Sequence, residues 1–228
     1  MPGHFTFYCN LTEGDVAHFD ETEAKHALQV LRYGVGDMLH FTDGKGSRFT
    51  GTITIGNKQG FQARILERQW IEKPSSLFVN VAILKSGDRM EWAVEKCTEL
   101  GVSGVIFFQS DNGERGKVNL ARMHKVAIAA MKQSHGSWLP EIIQSSFAQA
   151  LGAATVGKKY IAYCGEAEKV GVSEIELPAC IFIGPEGDFS PKELKLAMDA
   201  GCVPLDLGVQ ILRTETAMVA ISAALRLR

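Results

Sequence analysis

Residues 180–193 read Cys180-Ile181-Phe182-Ile183-Gly184-Pro185-Glu186-Gly187-Asp188-Phe189-Ser190-Pro191-Lys192-Glu193, and the rest of the chain is arranged around them. Cys180 to Ile183 is the short apolar run of a buried strand. It stops at Gly184-Pro185-Glu186-Gly187, a turn whose glycines let a ligand approach the backbone closely. Ser190 is placed to cap a helix, with Pro191 in the first helical position and Glu193 closing a capping box. Leu194, Ala197 and Met198 share one face of that helix, and Gly201 ends it. A second strand, Pro204 to Leu207, ends at Gly208 and opens Val209 to Arg213. Thr214 is placed to cap a final helix whose run Ala217 to Leu225 is almost wholly apolar. Two loops at strand ends, this close in sequence, point to one pocket at the carboxyl edge of a mostly parallel sheet.

Upstream of this stretch the pattern changes twice. The first 68 residues read mainly as short strands: Phe5 to Tyr8, Met38 to Thr42, Thr50 to Ile55 and Phe61 to Leu66. Turn signals stand at Asp43-Gly44-Lys45-Gly46 and Gly56-Asn57-Lys58. One helix interrupts them, with Asp20 as cap, Glu23 at its third position, and Ala24, Ala27, Leu28 and Leu31 on one face. This composition predicts a small barrel-like domain over 1–68 with one embedded helix. Residues 69–76, Gln-Trp-Ile-Glu-Lys-Pro-Ser-Ser, break the periodicity and read as a linker. From 77 to 228 strands alternate with helices. Leu77 to Leu84 is a strand, and Asp88 with Glu91 is placed to cap the helix after it. Met90, Ala93, Val94, Cys97 and Leu100 form that helix's buried stripe. Val105 to Phe108 and Lys159 to Cys164 are further strands, and Asn119 opens a long helix between them. The sum is an α/β domain with a largely parallel sheet.

Composition narrows the class of protein. At 228 residues, 46% hydrophobic and 22% charged, the chain has the makeup of an ordinary soluble globular protein with a sizeable core. No window approaches the roughly 20 apolar residues of a membrane span, and Met1-Pro2-Gly3-His4 lacks the pattern of a signal peptide. Five scattered cysteines without a C-x-x-C pair suggest reduced thiols in the cytoplasm. Together with histidines that form no ligand-spaced cluster, they predict no structural zinc. A net charge of −2 tells against a general nucleic-acid coat. One basic stretch stands out, with Arg115, Lys117, Arg122, Lys125 and Lys132 set against Asp111 and Glu114. A solvated helix face explains it as well as an RNA contact does.

The glycine loops match neither G-x-G-x-x-G nor a Walker sequence, which disfavours a dinucleotide or nucleoside triphosphate. Ser86 and Ser190 fit turn or cap positions better than a nucleophile. Glu186 has two readings, a general base or a brace for its loop. From the residues alone, an α/β enzyme with a pocket of strand-end loops and a pure binding module both fit.

In combination, Ile183 to Ser190 followed by Leu207-Gly208-x-x-Ile211-Leu212-Arg213-Thr214-Glu215-Thr216-Ala217 resembles the 16S ribosomal RNA uracil-N3 methyltransferase family of the SPOUT superfamily. Lys85-x-x-x-Arg89-Met90-Glu91-Trp92, Lys96-x-x-Glu99-Leu100-Gly101, Lys132-Gln133-Ser134 and Val30-Leu31-Arg32 match as well, in the right order over nearly the whole chain. The resemblance implies a PUA-like RNA-binding barrel over 1–68 and a trefoil-knotted methyltransferase domain over 77–228. It also implies S-adenosylmethionine as methyl donor, a homodimer, and N3 of one uridine in small-subunit ribosomal RNA as acceptor. A related SPOUT enzyme acting on another RNA and a non-catalytic assembly factor are the alternatives.

Under that resemblance Leu84, Cys164, Gly165, Glu166, Ile183, Gly184, Pro185, Glu186, Gly187, Leu207, Gly208, Ile211, Leu212 and Thr214 to Ala217 hold the cofactor. Ile183, Leu207, Ile211 and Leu212 supply an apolar slot, and Gly184, Gly187 and Gly208 keep it free of side chains. Arg213, then Arg115, then Lys85 are the cations expected beside the uracil. Arg32, Arg115, Lys117, Arg122 and Lys132 are those expected on RNA. Three positions depart from the family pattern: Asp188 for a glycine, Gln210 for a cation, and Gly136 for an arginine. Asp188 sits past the turn, so the expectation is that it leaves the pocket intact. The other two remove basic groups.

Overall fold

The computed structural model describes residues 6–9 and 11–227; Phe5, at the start of the first expected strand, lies outside them. The chain divides into two compact units, one of residues 1–73 and 128–139, the other of 74–127 and 140–228.

In the first unit, strands β1 (Thr6–Tyr8), β2 (Leu11–Glu13), β3 (Val16–Phe19), β4 (Met38–Thr42), β5 (Ser47–Asn57) and β6 (Gly60–Trp70) form one sheet in the order β1-β4-β5-β6-β3-β2. Only β1 and β4 pair in parallel; the other pairings are antiparallel. Alternation buries Phe49, Gly51 and Ile53 on one face of β5. They join an aromatic core in which Phe19 stacks on Phe61 and Phe41 on Phe49. The expected helix is present and capped by Asp20, which accepts from the Glu23 amide at 3.0 Å. Only Glu21–Ala24 (α1) is α-helical, and Lys25–Val30 continues as a π-helical turn. β6 runs through Gln69 and Trp70, so the segment without regular structure begins at Ile71 rather than at the expected linker start.

The second unit holds β7 (Leu77–Ala82), α2 (Gly87–Glu99), β8 (Gly104–Gln109) and the start of α3 (Leu120–Gln133), whose last turns belong to the first unit. It continues with β9 (Glu141–Ser146), α4 (Phe147–Ala153), β10 (Lys158–Ala162), β11 (Val170–Gly171), β12 (Ala179–Ile183), α5 (Pro191–Asp199), β13 (Val203–Asp206) and α6 (Thr214–Arg226). Seven strands pair in the order β11-β13-β10-β12-β7-β8-β9, and each of these pairings is parallel. β12 sits at the centre with all five residues buried, which is why its sequence is apolar without alternation. Phe108, Phe147, Phe182 and Phe189 pack with Ala150 of α4 and Ala197 of α5 over one part of the sheet. α6 packs on α2 and β7.

The strand order matters for the site. The chain steps outward through β7, β8 and β9, then crosses to β10 and leaves a gap that β12 later fills. The carboxyl ends of β13, β10 and β12 therefore lie side by side, and their loops meet. Such switches of direction are where parallel α/β sheets form crevices.

Two caps differ from expectation. Ser86, not Asp88, caps α2, accepting from the Arg89 amide at 3.4 Å; Asp88 falls in the first turn. Thr214 is already inside α6, and its hydroxyl donates instead to the Gly184 carbonyl at 2.9 Å. The tertiary contact outcompetes the local one and ties the start of α6 to the end of β12. On α5 Glu193 and Ala197 are buried and Leu194 packs against the core as expected, while Met198 is exposed.

Candidate active site

The three loops enclose a cavity of about 380 Å³, within the size range of small-molecule sites. Cys164 comes from the loop after β10, Ile183 from the end of β12, and Gly184 to Glu186 from the turn after it. Leu207, Gly208, Ile211 and Leu212 come from the loop after β13, with Thr214 and Ala217 from α6. Arg213 lines the same cavity. Leu84, Gly165, Glu166, Gly187, Glu215 and Thr216, also expected at the cofactor, are not on its wall.

Each loop is held for an identifiable reason. The Ser190–Glu193 capping box forms as expected, the Glu193 amide donating to Ser190 Oγ at 3.2 Å and the Ser190 amide to Glu193 Oε2 at 2.8 Å. The buried Glu193 carboxylate also accepts from Ser110 Oγ and the Asp111 amide, both at 3.1 Å, fixing the loop after β8 to the turn. Gly184 packs closely, since a Cβ there would stand 3.0 Å from the Phe189 ring and push it aside. Gly208 is required by its backbone. Its φ of +110° lies where side chains are disfavoured, yet a Cβ would meet nothing within 4 Å. A side chain at Gly208 would thus meet no part of the protein, and the residue lines the cavity.

Glu186 behaves as a brace. Its Oε1 lies 3.2 Å from Arg89 Nη1, and Arg89 Nε lies 3.6 Å from Oε1 of the buried Glu215. One α2 arginine thus spans the turn and the start of α6, which gives Glu215 a place in the support of the pocket rather than on its wall.

Asp188 takes a direct part in the pocket. It lines the cavity, and its Oδ2 accepts the Cys164 amide at 2.9 Å. Lys169 also lines the cavity, its Nζ donating to the Tyr163 carbonyl at 2.7 Å and lying 5.0 Å from the Tyr163 ring centroid. Sequence reading missed Lys169, because nothing local separates it from other loop lysines. Gln210 is exposed on the cavity rim.

The wall suits S-adenosylmethionine. Apolar side chains of Ile183, Leu207, Ile211 and Leu212 flank the cavity, and Ile211 is 86% exposed beside it. The backbone N–H groups of 209–212 have no hydrogen-bond partner among the described residues, so they are free to read a ligand's polar edge. No group of His, Cys, Asp and Glu placed to hold a metal is found among the described residues.

The other expected cations are divided. Arg115 and Lys117 are exposed in the loop after β8, with no salt bridge among the described residues. Gln109 orders that loop, donating to the Glu114 carbonyl at 2.6 Å and accepting from the Gly116 amide at 3.3 Å. Lys85 is exposed and stands 4.0 Å from Glu114. Arg122 is paired with Glu91 at 2.8 Å, and Lys132 with the buried Glu23. These two ion pairs give both residues a structural explanation that the sequence did not disclose. Arg32 is exposed, at a φ of +59°, just beyond the π-helical turn.

Comparison with known proteins agrees with the geometry. Residues 71–226 match the RNA methyltransferase domain family, and residues 19–66 match the RNA methyltransferase PUA domain. A ribosomal RNA small subunit methyltransferase E of Mycobacterium tuberculosis is 30% identical over 219 residues, covering 90% of this chain and 83% of that protein. The protein of the same name from Neisseria gonorrhoeae, solved with S-adenosylmethionine bound, is 29% identical with a TM-score of 0.85, covering 99% of this chain and 98% of that one. A Legionella pneumophila protein, also solved with that cofactor, is 25% identical with a TM-score of 0.86, covering 99% and 98%. A match over both segments, and over nearly the full length of such relatives, places the chain in the family of small-subunit ribosomal RNA methyltransferases with a PUA domain.

Proposed function

We propose that this protein transfers the methyl group of S-adenosylmethionine to N3 of a uridine in small-subunit ribosomal RNA, acting in the cytoplasm as a homodimer. The observation that carries the reading is the cavity at the ends of β10, β12 and β13, built largely by the two stretches, 183–188 and 207–217, on which the family resemblance rests. Bound there, the cofactor supplies an electrophilic methyl group on a sulfonium. The residues of this chain do the rest. Ile183, Leu207, Ile211 and Leu212 exclude water from the cofactor, and the backbone of 209–212 orients it. Holding donor and acceptor in line supplies much of the acceleration.

Uridine N3 carries a proton at neutral pH, and losing it leaves an anion. Arg213, exposed on the cavity wall, is the cation we place beside that anion. A guanidinium stays charged at any working pH, so Arg213 stabilises charge and does not act as the base. Arg115 and Lys117 are placed on RNA phosphates, with Lys85 as a secondary cation.

The chain beyond β13 must return across the ends of β10 and β12 to reach α6 beside β7 and α2. We assign a trefoil knot to this crossing. The dimer is placed on α6. Thr216, Ala220, Ala224 and Leu227 leave a stripe exposed, and Arg226 Nε and Nη2 are buried without a partner among the described residues. Burial holds the Arg226 pKa below its usual value, and a carboxylate from a second copy would relieve that cost.

The test compares small-subunit ribosomal RNA from cells with and without the protein. N3 lies on the pairing edge of uracil, so its methyl group halts reverse transcription. Loss of one such stop at a uridine supports the proposal; identical profiles refute it.

A further inference from the structure

We infer that Asp188 is a latch that holds the wall formed by Tyr163 and Cys164 against the turn after β12, so that the pocket is shaped before any ligand arrives. This makes Asp188 a positioning residue for the cofactor, and the inference rests on the cofactor reading above.

Asp188 has a φ of +58°, in the left-handed region. Glycine adopts that region freely, whereas L-residues do not, Asn and Asp being the most tolerant. The position thus carries a backbone cost that glycine would avoid, and the side chain must supply something in return. Both carboxylate oxygens are used. Oδ2 accepts the Cys164 amide at 2.9 Å, and Oδ1 accepts the Phe189 amide at 2.8 Å. Bonds from N–H groups to an ionised carboxylate are among the stronger hydrogen bonds.

The backbone of the same residue extends the junction. Its N–H closes the turn by donating to the Pro185 carbonyl at 3.0 Å. Its carbonyl accepts from Asn112 Nδ2 at 3.2 Å, and the Gly187 carbonyl accepts from the same nitrogen at 3.3 Å. One residue thereby joins the loops after β8, β10 and β12. On the far side of the β10 loop, Lys169 folds back onto Tyr163. Most of the segment between, Glu166 to Glu168, is exposed. The Cys164 amide is where this loop is fastened to the rest of the site. Without the carboxylate, Tyr163 and Cys164 must be ordered at the moment of binding, and that entropy is subtracted from affinity.

The two consequences of removing the carboxylate have opposite signs, which makes the latch testable. Asp188→Gly relieves the left-handed backbone while deleting both side-chain bonds. We expect its melting temperature to equal or exceed that of the wild type. We also expect amide exchange at Cys164 in the ligand-free protein to quicken at least about tenfold, and S-adenosylmethionine to bind about tenfold more weakly by calorimetry, roughly 1.4 kcal/mol. Asp188→Asn tolerates the same φ and keeps one acceptor oxygen, so its dissociation constant should fall between the two.

Wild-type exchange at Cys164 and wild-type affinity in Asp188→Gly would overturn the latch. So would a fall in melting temperature that accounts for the weaker binding in both variants, since Asp188 would then be a general structural brace. Failure of the wild type itself to bind S-adenosylmethionine would refute the cofactor reading instead, while Cys164 exchange would still report whether the latch exists.

Discussion

Arg213 and the cysteines carry the predictions that single residues can decide. Arg213 lines the cavity beside the turn that carries Gly184. An interaction made only in the transition state lowers turnover at saturating substrate, whereas uniform binding alters the Michaelis constant alone. Arg213→Ala is therefore expected to lose turnover on the order of 10²-fold at saturating RNA, as when an oxyanion donor is deleted, with cofactor affinity kept. Arg115→Ala and Lys117→Ala should instead weaken RNA binding and flatten its salt dependence, each by about 0.7–0.9 in slope if it contacts one phosphate. Wild-type turnover by Arg213→Ala would move the catalytic charge elsewhere. The thiols give a second readout. Burial pushes Cys97, Cys180 and Cys202 up to about 11, and raises Cys9 as well, whereas Cys164 is exposed on the cavity wall. An aromatic disulfide reagent near pH 8 should titrate one thiol in the native protein, and S-adenosylmethionine should slow that reaction. Several fast thiols, or no protection, would contradict the placement of Cys164.

At the scale of elements, α5 and the turn before it depend on Glu193. Its carboxylate satisfies the Ser190 and Asp111 amides and the Ser110 hydroxyl, and it is 4% exposed. Glu193→Ala leaves the Ser190 amide and Ser110 hydroxyl buried and unpaired, and should cost roughly 2–4 kcal/mol, read as a lower urea midpoint; an unchanged midpoint would contradict it. Half of this arrangement was legible. The Ser190-Pro191-x-Glu193 pattern predicts the capping box because cap and box lie within one turn of each other. The bonds to Ser110 and Asp111 span 83 and 82 residues, and no local pattern encodes them. The same reason explains Asp188, whose partner Cys164 is 24 residues away, and Thr214, whose hydroxyl turns to Gly184. Strands with buried apolar runs, such as β7, β8 and β12, could be read directly. β9 and α4 could not, because Glu-Ile-Ile-Gln-Ser-Ser buries only Ile142 fully and α4 has seven residues. The β2–β3 hairpin was missed for its shortness, and β11 has two residues.

At the scale of the molecule, the parallel character of the sheet follows from strands alternating with helices, but its order does not. The insertion of β12 between β7 and β10 is a tertiary choice, and it brings the two motifs and the Cys164 loop to one cavity. A helix that is apolar around most of its circumference needs cover on all sides. Within one chain α6 buries Ala217, Met218, Ile221, Ser222 and Leu225 and leaves Ala220 and Ala224 exposed. Light scattering at micromolar concentration should therefore report a dimer, and replacing Ala220 and Ala224 with Glu should give a monomer that stays folded; a wild-type monomer would contradict the assignment. The most direct test of the whole account is methyl transfer by the purified protein. Unmodified small subunits, or their RNA, are incubated with S-adenosylmethionine carrying a labelled methyl group, digested to nucleosides and separated. Label is expected in 3-methyluridine, entering on the order of 10²-fold more slowly with Arg213→Ala; label in another nucleoside, or none while the cofactor binds, would contradict the proposed transfer.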